Sequence, residues 1–295
     1  MSPLALLLVL SAAVAHASWN VIAHGRSGSG LPFLWWGAVA STVLWSFAIP
    51  LTGGMGAADA RGFWLGVAVS AVLHVAYMLV LQRGYAVGDL STVYATARGT
   101  GPLLTVIVAV TLLGETLTVA AGVGVAAVIA GVVAIGFVDR MPPGSASVLR
   151  TRRGPDRAVV FGLLTGVAIA AYTVWDTHAL RAWDASPVAY MVGCTALEVP
   201  ILTVLMLRGR VWTALLPVWR RDWRRLLAFG VLSPLSYILV LTAITIAPVA
   251  LVAPVREVSV VLVSLFGAFV LRETHPARRL AASALVTGGI LLLAL

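Results

Sequence analysis

Two arginines, Arg98 and Arg256, stand inside long runs that otherwise carry almost no charge. A guanidinium is planar, keeps its charge at any relevant pH, and can grip a carboxylate, phosphate or phosphonate through two parallel N–H bonds. In hydrocarbon such a charge costs about 3 kcal/mol on insertion scales, so it faces a cavity or a partner. Its chemistry is then either recognition of an anionic solute or an internal ion pair. The acids able to neutralise it are Asp176, Glu198 and Glu257. Three acids against two arginines leave one carboxylate over, and a buried carboxyl with no cation beside it suits the loading and release of a proton. This reading selects Glu198 for proton coupling, with Asp176 and Glu257 as the alternates for coupling or ion pairing.

Rings and imidazoles fall at helical spacing around these charges. His74 and Tyr77 are three apart, Tyr94 and Arg98 four apart, and Tyr172, Trp175 and Asp176 fall at spacings of three and four, so each set shares a helix face. A cavity lined by rings with a few polar tips suits an amphipathic small metabolite. His16 belongs to the same class of candidate. Any single ring also serves as packing or as an interfacial anchor, the role assigned to Trp35, Trp36, Trp45 and Trp64. No histidine pair has metal-ligand spacing with an acid nearby, and the single cysteine, Cys194, excludes an internal disulfide or a cysteine cluster. Neither a nucleophile–base constellation nor a Walker-type glycine motif is present. An enzyme, a cofactor and a resident metal are therefore not expected.

The elements that must hold these residues are read from composition. With 60% hydrophobic and 11% charged residues, the chain lacks the polar surface of a soluble domain. Apolar runs near the ~20 residues that cross a bilayer lie at 3–22, 31–51, 62–81, 90–112, 117–137, 158–178, 188–207, 225–246, 248–271 and 276–295. The expected fold is an all-α membrane protein of ten transmembrane helices, multi-pass in the cell inner (plasma) membrane. The first run opens without a basic residue and shows no cleavage site, so it is expected to be retained.

Arg98 precedes Glu115, and Arg256 precedes Glu273, by the same 17 positions, so one offset of 158 maps the first half of the chain onto the second. Five-helix repeats are expected at 1–137 and 158–295, joined by the Arg- and Pro-rich loop 138–157. An odd helix count inverts adjacent repeats in the bilayer, the design of secondary transporters with a substrate site near the midplane. The net charge of +9 is carried entirely by arginine. Most arginines fall in inter-helix loops, which suits lipid headgroups and topology, not nucleic acid. The loops after odd-numbered helices hold the bulk of them, which predicts cytoplasmic odd loops and external termini. Glu115 and Glu273 are expected to accept from the first N–H groups of the helix that follows each. Gly62 and Gly66, Gly162 and Gly166, and Ala284 and Gly288 have small-xxx-small spacing, open to internal packing or to a homodimer.

Gly88-Asp-Leu-Ser-Thr-Val-Tyr94, Ala97-Arg98-Gly99, Gly101-Pro102-Leu103 and Leu113-Gly114-Glu115 resemble the fourth-helix signature of the EamA branch of the drug/metabolite transporter superfamily. His16-Ala-Ser-Trp19-Asn20 is similar to the first-helix end of one subgroup, which adds Asn20 to the substrate-binding candidates. The resemblance implies two inverted five-helix repeats and a secondary transporter; with no Walker-type motif, transport is expected to draw on a gradient or simply equilibrate, without ATP. Taken with the arginines, the expected substrate is a small metabolite with an anionic group, such as an amino acid, an organic acid or a phosphonate, moved by alternating access with export as the expected direction. The alternative is a lipid-moving or scaffolding membrane protein without small-solute transport.

Overall fold

The computed structural model describes residues 1–23, 30–56, 59–87, 90–138, 157–269 and 276–294. Among them the secondary structure is helical, with turns and no strand. The helices are α1 (Pro3–Ala23), α2 (Gly30–Ser46), α3 (Ala60–Val87), α4 (Leu90–Thr111), α5 (Val119–Val138), α6 (Arg157–Trp183), α7 (Pro187–Arg208), α8 (Leu215–Ile246), α9 (Val249–Arg256), α10 (Val258–Phe269) and α11 (Pro276–Ala294). Among the described residues five segments are long and apolar enough to cross a membrane: α3, α6, α7, residues 92–111 of α4 and the stretch 212–246 that contains α8.

Two differences from the expected spans have local causes. The expected ninth span, 248–271, is broken into α9 and α10 at Glu257. Pro254 has no N–H for the carbonyl four residues back and crowds it, and the Glu257 N–H turns tightly onto the Pro254 carbonyl at 3.0 Å. The eighth helix starts ten residues before the expected 225, because the arginine-rich approach is itself helical. Trp36 fixes that start by donating its indole N–H to the Leu215 carbonyl at 2.9 Å.

The chain packs as two compact units, each drawing on both halves of the sequence. One comprises Met1–Leu10, Tyr77–Val174 and Ala247–Leu295; the other comprises Ser11–Ala76 and Trp175–Ile246.

In the first unit α5 lies antiparallel on α11 at backbone contact. A Cβ at Gly124 would sit 2.7 Å from the Gly289 carbonyl oxygen, and one at Gly131 would sit 2.9 Å from that of Ala282. The offset of 158 carries 124 onto 282 and 131 onto 289, so each contact is the image of the other. Gly162 and Gly166 seat against Thr96 and Thr100 of α4. Glu115 accepts from the N–H groups of Val249 (2.9 Å) and Ala250 (2.8 Å), capping α9 and not the helix that follows it. The reason lies in the neighbours: Thr118 already serves α5 by accepting from Ala121, whereas α9 begins at Pro248, which offers no capping side chain. Glu273 falls outside the described residues.

In the second unit α2 packs on α7 and α8. Trp35 donates to Thr203 at 2.8 Å, Thr42 to Thr195 at 3.0 Å, and Trp45 to the Val231 carbonyl at 3.2 Å. Gly62 and Gly66 of α3 seat against Trp183, Ala179 and Tyr190, so this small-residue stripe is used in packing.

Candidate functional site

In the first unit the break between α9 and α10 delivers Glu257 to α4. Its carboxylate accepts from Arg98 Nη1 at 3.4 and 3.5 Å, and Arg256 Nε lies 3.8 Å from the same Oε1. All three side chains are buried, and Glu257 is 1% exposed. Both sequence-selected arginines therefore converge on one acid. Tyr94, one turn before Arg98, places its ring 5.3 Å from the guanidinium carbon, a cation–π contact. Tyr77 and Tyr172 meet edge to face at 5.5 Å, within electrostatic range of Arg98. Five expected substrate-binding residues, Arg98, Arg256, Tyr94, Tyr77 and Tyr172, thus gather in this unit with Glu257. The turn is what makes it possible: in a continuous helix, consecutive residues 256 and 257 point about 100° apart.

The second unit holds a different polar centre, built on Asp176 of α6. This fully buried carboxylate accepts from the Tyr190 hydroxyl at 2.8 Å and from the Tyr237 hydroxyl. Among the described residues no cation pairs with it, so its partners are tyrosines and not the arginine that the ion-pairing alternative called for. Tyr190 also reaches the Gly66 carbonyl at 3.1 Å. His74 abuts the Tyr237 ring edge-on at 5.3 Å, and its Nδ1 lies 3.2 Å from Ser70 Oγ and 3.0 Å from the Ser70 carbonyl. Tyr190, Tyr237 and Ser70 are absent from the sequence-derived set. Their signal was available: a carboxyl buried in an apolar run requires donors, and the tyrosines inside the apolar runs of α7 and α8 could supply them.

Trp175 donates its indole N–H to the Gly66 carbonyl at 2.9 Å, which ties α6 to α3, and within α6 it meets Trp183 edge-on and His178 at a tilt. His16 contacts Trp19 edge-on at 4.9 Å, and Trp19 contacts Phe229 at 5.2 Å, in an aromatic cluster. The Asn20 side chain lies outside the described residues. Glu198 is 5% exposed on α7, between the Thr195 and Thr203 bonds to α2, and among the described residues no hydrogen bond or ion pair reaches its carboxylate. A cleft of about 460 Å³ at the helix ends, lined by Thr52, Arg181, Asp184 and Thr245 among others, contains none of the expected residues. No group of three or more His, Cys, Asp or Glu suited to a metal occurs among the described residues.

Comparison with known proteins gives one family and one fold. Residues 156–295 match the model of the EamA-like transporter family. A protein solved by crystallography aligns over 98% of this chain and 95% of its own, with a TM-score of 0.71 and 17% sequence identity. Curated protein sequences contain no match.

Proposed function

We propose that the chain, whose residues 156–295 match the EamA-like transporter family of the drug/metabolite superfamily, is a multi-pass membrane transporter whose substrate is a small metabolite with an anionic group. The observation that carries this reading is the convergence of Arg98 and Arg256 on Glu257, where a helix is interrupted. Two cations and one acid in low dielectric attract an anion, and a planar fork can exchange an internal carboxylate for that of a solute. Broken helices are tolerated at membrane depth where they line a cavity, and secondary transporters use them at their substrate sites. Tyr94, Tyr77 and Tyr172 supply the ring surface, while His74, Trp175, His16 and Asn20 remain secondary candidates.

The finer plan is part of the same proposal. At 1.5 Å per residue, α9 and α10 are about 12 and 18 Å long, together one crossing of a ~30 Å core; counted as one broken span, they bring the total to ten. Inverted repeats at 1–137 and 158–295 are supported by the mirrored contacts of α5 and α11. Transport runs by alternating access, outward, across the plasma membrane and without ATP. Glu198 carries the coupled proton, since Glu257 is engaged by arginines and Asp176 by tyrosines. Of the small-residue stripes, Gly288 has open space beside it, so a homodimer would use Ala284 and Gly288.

Proteoliposomes test the coupling. With Glu198→Gln, substrate should still exchange across the membrane while a pH gradient no longer drives accumulation. Undiminished pH-driven accumulation would move the coupling to Asp176 or Glu257. Lipid scrambling with no solute flux in the wild type would favour the lipid-moving alternative.

A further inference from the structure

The helix α8 is 32 residues long, about 48 Å at 1.5 Å per residue, while its uncharged stretch 226–246 alone suffices to cross a bilayer. Residues 215–225 are therefore surplus to the span, and they hold every charge of the helix. They are not a frayed end. Leu215, Val218, Asp222 and Leu226 form a buried stripe at spacings of three and four, and Val218 and Leu226 pack with Phe33 and Phe229 under Trp19, Trp36 and Trp219.

The opposite face has two parts. Leu216 and Trp223 are 52% and 44% exposed and, seven apart, lie in one line. Beside that line stand Arg220 and Arg224, with Arg225 further round, all exposed. The segment's one acid, Asp222, is on the buried side and takes the adjacent Arg221 at 2.7 Å, so among the described residues no carboxylate pairs with Arg220, Arg224 or Arg225. Arg224 lies over the Trp223 ring at 5.2 Å, which links the apolar and cationic lines. An indole at the interface with guanidinium groups beside it matches the boundary between acyl chains and anionic headgroups.

We propose that residues 215–225 of α8 form a preformed interfacial platform that binds anionic phospholipid headgroups, with Trp223 at the acyl boundary and Arg220, Arg224 and Arg225 holding phosphate. Charge complementarity selects this occupant. The fixed helix carries the guanidinium groups at set spacings, so ordering them costs less than it would in a loop.

The test uses the full-length protein in detergent micelles doped with equal amounts of phosphatidylglycerol and phosphatidylcholine, with retained lipid counted by native mass spectrometry. The wild type should retain phosphatidylglycerol preferentially. Each basic residue at an anionic surface is worth about a fivefold preference, so R220Q/R224Q/R225Q should lower the preference by tenfold or more. R220K/R224K/R225K should keep most of it, and Arg61→Gln, an exposed arginine at the start of α3, should leave it unchanged. If the triple Gln variant does not accumulate, rising salt applied to the wild type must erode the preference instead. No lipid preference in the wild type, or an undiminished one in the triple Gln variant, would overturn the proposal. So would tighter retention of a short oligonucleotide than of lipid, which would assign the surface to a different partner.

Discussion

At the scale of the residue, Glu257 is the pivot. Removing one member of a buried charge cluster costs more than the cluster itself contributes, because the remaining charges stay desolvated. Glu257→Gln leaves Arg98 and Arg256 facing each other's environment without their shared acid, and should destabilise the protein by about 3 kcal/mol. Pairing it with Arg256→Gln removes one of the stranded cations and should restore part of that loss, measured as thermal stability in detergent. Non-additivity of the two changes is the diagnostic outcome. Arg98→Lys asks a different question. It keeps the charge and loses the fork, so a protein that inserts and folds should bind substrate more weakly in equilibrium binding or transport KM. Unchanged affinity would confine Arg98 to an internal role. The charged residues were legible in the sequence because hydrocarbon makes each one conspicuous. Their pairing was not: Glu257 adjoins Arg256 in sequence, and its reach to Arg98 depends on a turn that no periodicity announces. Asp176 was legible as a buried acid, but its tyrosine partners are fixed only by how α6, α7 and α8 pack.

At the scale of the element, helix existence was read more securely than helix ends. The apolar runs marked where helices form, while Pro254 divided one of those runs and Trp36 extended another. Helix contacts add a testable sign. In α5, an alanine at Gly131 would meet Val286 Cγ2 at 2.5 Å and the Ala282 carbonyl at 2.9 Å, whereas at Gly122 nothing lies within 4 Å. Overpacking typically costs about 1–3 kcal/mol and outweighs the ~1 kcal/mol that alanine gains over glycine in a helix. Gly131→Ala should therefore lower the unfolding midpoint, and Gly122→Ala should leave it unchanged or raise it. The same scale explains Glu115: its cap on α9 joins residues 134 apart in sequence, a relation that reading along the chain cannot supply.

At the scale of the whole molecule, charge distribution sets the expected orientation. Arginines concentrate in the odd-numbered loops, above all in the 138–157 connector, which lies outside the described residues apart from Val138 and Arg157. With Cys194 replaced by Ser, single cysteines at positions 141–156 should be shielded from impermeant thiol reagents in intact cells and become reactive on permeabilisation. Ready labelling in intact cells would reverse the external-termini topology and leave the repeat proposal standing. The α5–α11 seam is independent of orientation, because it depends on the offset between halves and not on which side either faces.

That seam also bears on ancestry. A contact in which Gly124 meets Gly289 while their images, Ala282 and Gly131, meet each other is what a two-fold axis imposes on two copies of one surface. A half-length forebear bearing small residues at both positions would already have matched a copy of itself running the opposite way. Fusion of two such genes would then need only a tether, free to drift in sequence, while the seam constrained both halves to stay small at the same two places.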